Sequence, residues 1–118
     1  RPDLMLESEQ TVFDVKTTQD ASPKGFLKEC IKYGYFLQGA HYVYTCKLAG
    51  YDIKKFSFIA CEKSSPYVSH LHVMGSDIMH WGMKHLHKTL ATIAKAEKQS
   101  DYGTNWGDYT IMEKPSWL

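Results

Sequence analysis

Apolar and polar positions repeat along this chain with two different periods, and the switches between them mark out its elements. From Thr11 to Thr18 (TVFDVKTT) β-branched residues dominate and alternate with polar ones, which is the pattern of a strand. Just before it, Asp3 to Leu6 is a short apolar stretch closed by the polar turn Glu7-Ser8-Glu9-Gln10, so the two segments predict a hairpin. The period then lengthens. Ser22 and Pro23 read as an N-cap and a first helical residue, and the helix they open puts Phe26, Leu27, Cys30 and Ile31 on one face. Lys24, Lys28 and Lys32 fall on the other. Gly34 interrupts, a second helix runs from about Tyr35 to Leu48 with Phe36, Leu37, Ala40, Val43 and Tyr44 apolar, and Gly50 closes it.

Two strands follow, about Lys55 to Glu62 and Tyr67 to Met74, joined by Lys63-Ser64-Ser65-Pro66. In the first, Phe56, Phe58 and Ala60 alternate with Ser57, Ile59 and Cys61, a run apolar enough to be buried on both faces. A long helix from near Ser76 to near Gln99 carries Ile78, Met79, Leu86, Leu90 and Ile93 as its stripe. The stretch from Ser100 to Leu118 is turn-rich, and its Tyr102, Trp106, Tyr109 and Trp117 are expected to be core or interface anchors. Strand, strand, helix, helix, strand, strand, helix is the order of a mixed α/β layered domain.

Composition narrows this picture in a few places. A chain of 118 residues, 43% hydrophobic, has enough apolar side chains for one domain spanning 1–118, and too few for two. The formal net charge is only +1, so a nucleic-acid partner has to rest on a local basic stripe. Cys30, Cys46 and Cys61 stand far apart without CxxC pairing, as free thiols in a reducing compartment do. No apolar run approaches the roughly 20 residues that cross a bilayer, and no signal peptide opens the chain, so the cytoplasm is the expected location and a membrane is not an expected partner. Arg1 stands where an initiator Met would, directly before sequence that reads as structured. The chain is therefore expected to be a piece of something longer.

The candidate chemistry centres on Asp14-Val15-Lys16. Residues two apart in a strand share a face, so a carboxylate and an ammonium point the same way from one strand. As a core pair this is costly; as a phosphodiester-hydrolysing pair it is sensible. The carboxylate would hold a hard divalent cation, and the lysine would orient an attacking water. Asp3 supplies a second acid at hairpin distance. Gln38 and Tyr42, four apart on the second helix, add an amide and a phenol on one face.

Taken together, Arg1-Pro2-Asp3, Asp14-Val15-Lys16-Thr17-Thr18 and Gln38-Gly39-Ala40-His41-Tyr42 resemble the PD-(D/E)xK nucleases of the RecB and RecE type. The nearest likeness is to the RecE-like exodeoxyribonucleases (exodeoxyribonuclease VIII) and their phage relatives. It continues through the long helix, Trp106 to Tyr109 and Pro115-Ser116-Trp117. The resemblance implies a restriction-endonuclease-like core, a mixed sheet flanked by helices. It implies a Mg²⁺-dependent exonuclease, with Mn²⁺ able to substitute, that degrades duplex DNA from its ends in recombination and repair. By that likeness Asp3, Asp14 and the main-chain carbonyl of Val15 would be metal ligands, Lys16 the catalytic lysine, and Gln38 and Tyr42 its support. Such enzymes carry an upstream helix with a further acidic or histidine contributor. Nothing precedes Arg1 here, so the chain is expected to be the C-terminal part of the catalytic core. Duplex DNA, a homo-oligomer and a single-strand annealing recombination partner are the expected associations; a ring would suit an enzyme that tracks along duplex, but the sequence does not demonstrate one.

Blander readings compete at each point. Asp14 and Lys16 can be a surface ion pair on an edge strand. Gln38 and Tyr42 can be ordinary half-buried helix residues. The Lys24, Lys28, Lys32 stripe can be a solvated face rather than a phosphate contact, and Thr17 and Thr18 plain strand formers rather than phosphate ligands. The histidines, among them His70, His72, His80 and His87, lack the spacing of a zinc site. The main rival function is a nuclease-like module that binds DNA or a recombination partner without turnover.

Overall fold

The structure, a computed structural model, describes residues 1–103 and 106–118. The predicted hairpin is present: β1 (Leu4–Leu6) pairs antiparallel with β2 (Thr11–Thr18), Leu4 opposite Phe13 and Leu6 opposite Thr11. A single 3₁₀ turn at Glu7–Glu9 joins them, ending on Gln10 in the left-handed region (φ 53°). Ser22 caps α1 (Pro23–Lys32) through its side chain, which accepts from the Gly25 amide at 3.2 Å. After Gly34 comes α2 (Tyr35–Leu48), and then β3 (Lys55–Glu62), β4 (Ser69–Val73) and α3 (Ser76–Gln99).

The four strands form one mixed sheet in the order β1-β2-β3-β4. β3 runs parallel to β2, which the two intervening helices make possible, and β4 returns antiparallel. β4 is shorter than the Tyr67 to Met74 expected from sequence; the positive φ of Tyr67 (58°) precludes an extended strand there.

One face of this sheet carries the core. Val12, Phe56, Phe58 and Ala60 are buried beneath Phe26 and Cys30 of α1 and Phe36, Val43 and Cys46 of α2. Gly39 lets α2 settle onto β3: a β-carbon there would collide with the Met74 sulfur and the Phe56 ring. The same device joins α2 to α3, where a β-carbon on Gly82 would lie 2.7 Å from the Phe36 carbonyl oxygen.

Several expected core positions are not buried. Leu27 and Ile31 of α1 are each about half exposed, as are Leu90 and Ile93 of α3 to similar degrees. Only Gly82 and Leu86 of α3 are buried, so its C-terminal half buries no side chain among the described residues. Tyr102, Trp106, Tyr109 and Trp117 are all at least 70% exposed, which overturns their reading as core anchors. The radius of gyration reflects this: 18.5 Å, against roughly 13 to 14 Å for a compact chain of this length. Among the described residues no helix is long and apolar enough to cross a membrane.

Candidate functional site

Asp14 and Lys16 lie on the helix-covered face of β2, not on an exposed edge. β2 is flanked by β1 and β3, and Asp14 is 6% exposed. The parallel register sets Asp14 beside Phe58 and Lys16 beside Ala60, both buried. The Lys16 ammonium lies 2.6 Å from Asp14 Oδ2, yet off the direction of a hydrogen bond. That buried oxygen therefore has a neighbouring charge but no well-directed donor. Water has been stripped from an anionic oxygen whose replacement partner is incomplete, which is unfavourable for stability and apt for ligating a cation.

Asp3 comes to the same place through the hairpin. The β1–β2 pairing ends with Leu4 opposite Phe13, and Asp3, one residue earlier, sits at the end of the hairpin next to the Asp14 segment. The Asp3 amide donates to the Phe13 carbonyl at 3.2 Å, and Asp3 Oδ2 accepts from the Val15 amide at 2.8 Å. This second bond orients the Val15 peptide as well as the acid. A strand residue directs its N–H and C=O to the same side, so the Val15 carbonyl also faces the β1 side, beyond the start of β1, where no strand occupies it. The Val15 side chain points away, half exposed on the opposite face.

α2 crosses above. Tyr35 and Tyr42 place their rings 5.9 Å from Phe58 and 5.8 Å from Phe56, and Gln38 shares their helical face, a turn from each. Gln38 Nε2 donates to Tyr42 Oη at 3.4 Å, and Tyr42 Oη donates to the Arg1 carbonyl at 3.4 Å. These are long bonds that tie α2 to the segment entering Asp3. They touch neither Asp14 nor Lys16.

Sequence reasoning passed over Tyr35. Its ring lies 4.5 Å from the Lys16 ammonium, so Lys16 is held between a carboxylate and an aromatic face. The usable signal was its place at the start of α2, two residues after Tyr33, with Gly34 turning the chain between them. Lys24, Lys28 and Lys32 are exposed along α1, Thr17 is exposed and Thr18 buried. His70 and His72 stack edge to face at 4.7 Å, and burial holds the His72 imidazole below its ordinary pKa despite its bond to the Ala21 carbonyl. Among the described residues no three His, Cys, Asp or Glu side chains converge, so a zinc cluster is not found there. Burial pushes the Cys30 and Cys46 thiols up, as suits packing residues.

Two carboxylates, one of them with an unpartnered buried oxygen, and one carbonyl fit Mg²⁺, which takes one or two protein carboxylates and keeps water or substrate oxygens for the rest. A mixed sheet presenting D-x-K beneath a helix, with a second acid just before the adjoining strand, is an architecture of the nuclease-like α/β class. The chain belongs to the family described as PDDEXK-like domain of unknown function (DUF3799), which it matches over residues 1–111. It is also similar in fold to a solved structure from Eubacterium rectale that carries the name "putative exonuclease". The TM-score is 0.62 at 14% identity, over 89% of this chain and 44% of that one. The chain thus spans less than half of that protein's length. No curated protein matches the sequence.

Proposed function

We propose that this domain hydrolyses DNA phosphodiesters with Mg²⁺, Mn²⁺ being able to substitute, as an exodeoxyribonuclease acting on duplex ends in recombination or repair, within the RecE-like branch of its family. The observation that carries this reading is the buried Asp14 carboxylate with Lys16 one pleat along and Asp3 bonded to the amide of the intervening Val15. Asp3, Asp14 and the Val15 carbonyl would hold the cation, which when bound neutralises phosphate charge and makes a ligated water more acidic.

The chain's own groups do the rest. Lys16, steered by the Tyr35 ring, orients the attacking water and balances the charge that develops on it. Asp3, through the Val15 amide, fixes the peptide between the two charged residues. Gln38 and Tyr42 anchor the strand that delivers Asp3. Lys24, Lys28 and Lys32, with Thr17, offer phosphate contacts that bind without choosing sequence, whereas Thr18 is buried with its hydroxyl bonded to the Asp20 backbone.

The test is Mg²⁺-dependent shortening of an end-labelled linear duplex by the full-length protein. Asp14→Ala or Lys16→Ala should each lower the rate at least about a hundredfold while far-UV circular dichroism is unchanged. A variant that digested at the normal rate would sink the assignment. A non-catalytic binding module would instead retard the duplex without shortening it.

A further inference from the structure

A polar groove of about 490 Å³ opens beside the candidate site, between the end of the β2–β3 pair and the joint of α1 and α2. Thr17, Thr18 and Lys63 line one side, Glu29, Lys32, Tyr33 and Tyr35 the other. Its position follows from the fold. β2 and β3 end together at Thr18 and Glu62, and just beyond them the Lys63 amide donates to the Thr18 carbonyl at 3.1 Å, which places Lys63 at the lip. Across the groove Tyr33 closes α1 and is 57% exposed. Tyr35 is shared: its ring lines the groove and lies 4.5 Å from the Lys16 ammonium. The groove therefore reaches the ring against which the lysine of the site packs.

We infer that this groove holds a single strand of DNA next to the bond to be cut, with a base stacked on Tyr33 and the flanking phosphates on Lys32 and Lys63. The inference rests on the nuclease reading and adds to it a stacking residue, a second phosphate contact and the form of the substrate. Three features argue for one strand rather than a duplex. The volume is that of a small-ligand site. An exposed phenol offers a ring face, and a base can use that face only when it is free of its own stack. Lys32 and Lys63 belong to different walls, α1 and the turn after β3, as suits a backbone threaded between them. The Lys32 ammonium lies 5.1 Å over the Tyr33 ring and makes no ion pair among the described residues. An incoming base displaces it from the ring and the freed charge meets the adjacent phosphate. Glu29 lies in the same groove and opposes the phosphate, so the lysines outnumber it two to one and its removal should tighten binding.

The experiment is fluorescence anisotropy of a short labelled oligothymidylate with the full-length protein in EDTA, where no hydrolysis competes. Tyr33→Ala should weaken binding about five- to a hundredfold, and Tyr33→Phe should restore it. Lys32→Ala with Lys63→Ala should reduce the slope of log affinity against log salt by about 1.4, that is about 0.7 for each phosphate no longer neutralised. A wild type that does not bind, or binding and salt slope unchanged in all of these variants, overturns the groove. The two readings fail separately. If wild type shortens duplex with Mg²⁺ but the groove variants bind and cleave normally, the nuclease stands without this subsite. If wild type never shortens duplex yet Tyr33→Ala abolishes oligothymidylate binding, the groove stands and the nuclease falls.

Discussion

The two faces of the sheet invert the usual division of polar and apolar side chains. The helix-covered face holds the charged pair Asp14 and Lys16 among Val12, Phe56, Phe58 and Ala60. The opposite face presents Leu4, Leu6, Val15, Leu71 and Val73, each at least 40% exposed, around the buried Thr11 and Ser57. Were stability the only demand on this sequence, the charges would sit on the open face and the leucines on the covered one. The inversion on the covered side has a cost, since a carboxylate has left water for one imperfectly directed contact with a mostly covered ammonium. What it provides is a carboxylate held dry beside a cation and ready for a better one.

The comparison can be broken most forcefully at Phe58. Phe58→Ala should cost about 3–5 kcal/mol in urea unfolding, whereas Leu71→Ala on the open face should stay within about 0.5 kcal/mol. Equal losses would mean that the open face is covered in solution. A smaller effect, opposite in sign, is expected of the ion pair. Replacing both partners by apolar residues of similar size, Asp14→Leu with Lys16→Met, should leave stability unchanged or raise it by about 1–4 kcal/mol while hydrolysis is lost. A clear loss of stability in the double variant would show that the pair is structural.

The gentlest probe is His72, which sits on the covered side opposite Phe58, stacked on Phe26 at 4.5 Å. Its folded pKa lies below the ordinary 6.5 because burial disfavours the charged ring, with the Ala21 carbonyl opposing and His70 adding slightly. The unfolded chain therefore binds more protons between the two values. Stability should be full above about 6.5 and fall as the pH drops toward the folded pKa. His72→Phe should flatten that part of a melting-temperature profile; an unchanged slope would place the sensitivity elsewhere.

What the sequence revealed follows from what local rules can carry. The hairpin, the Ser22 cap and the alternation through Asp14-Val15-Lys16 depend on neighbours a few residues away, and the order of strands and helices agrees with the pattern along the chain. Amphipathic spacing says which residues share a side but not whether anything lies against that side. For that reason Leu27, Ile31, Leu90 and Ile93 read as core in the sequence and are open in the fold. Tyr33, Tyr35 and Lys63 escaped notice for a different reason. Their meeting near Lys16 depends on α1, α2 and β3 arriving together, and no spacing along the chain encodes that.

The three tryptophans divide in a way that bears on how this protein must be followed in solution. Trp81 stacks on Phe36 at 4.1 Å where α3 meets α2, while Trp106 and Trp117 are about 80% exposed. Intrinsic emission will thus be dominated by two indoles already in water, and denaturation of the sheet will barely move it. With Trp106 and Trp117 changed to Phe, the remaining indole becomes an optical gauge of the α2–α3 seam, the contact that Gly82 makes possible.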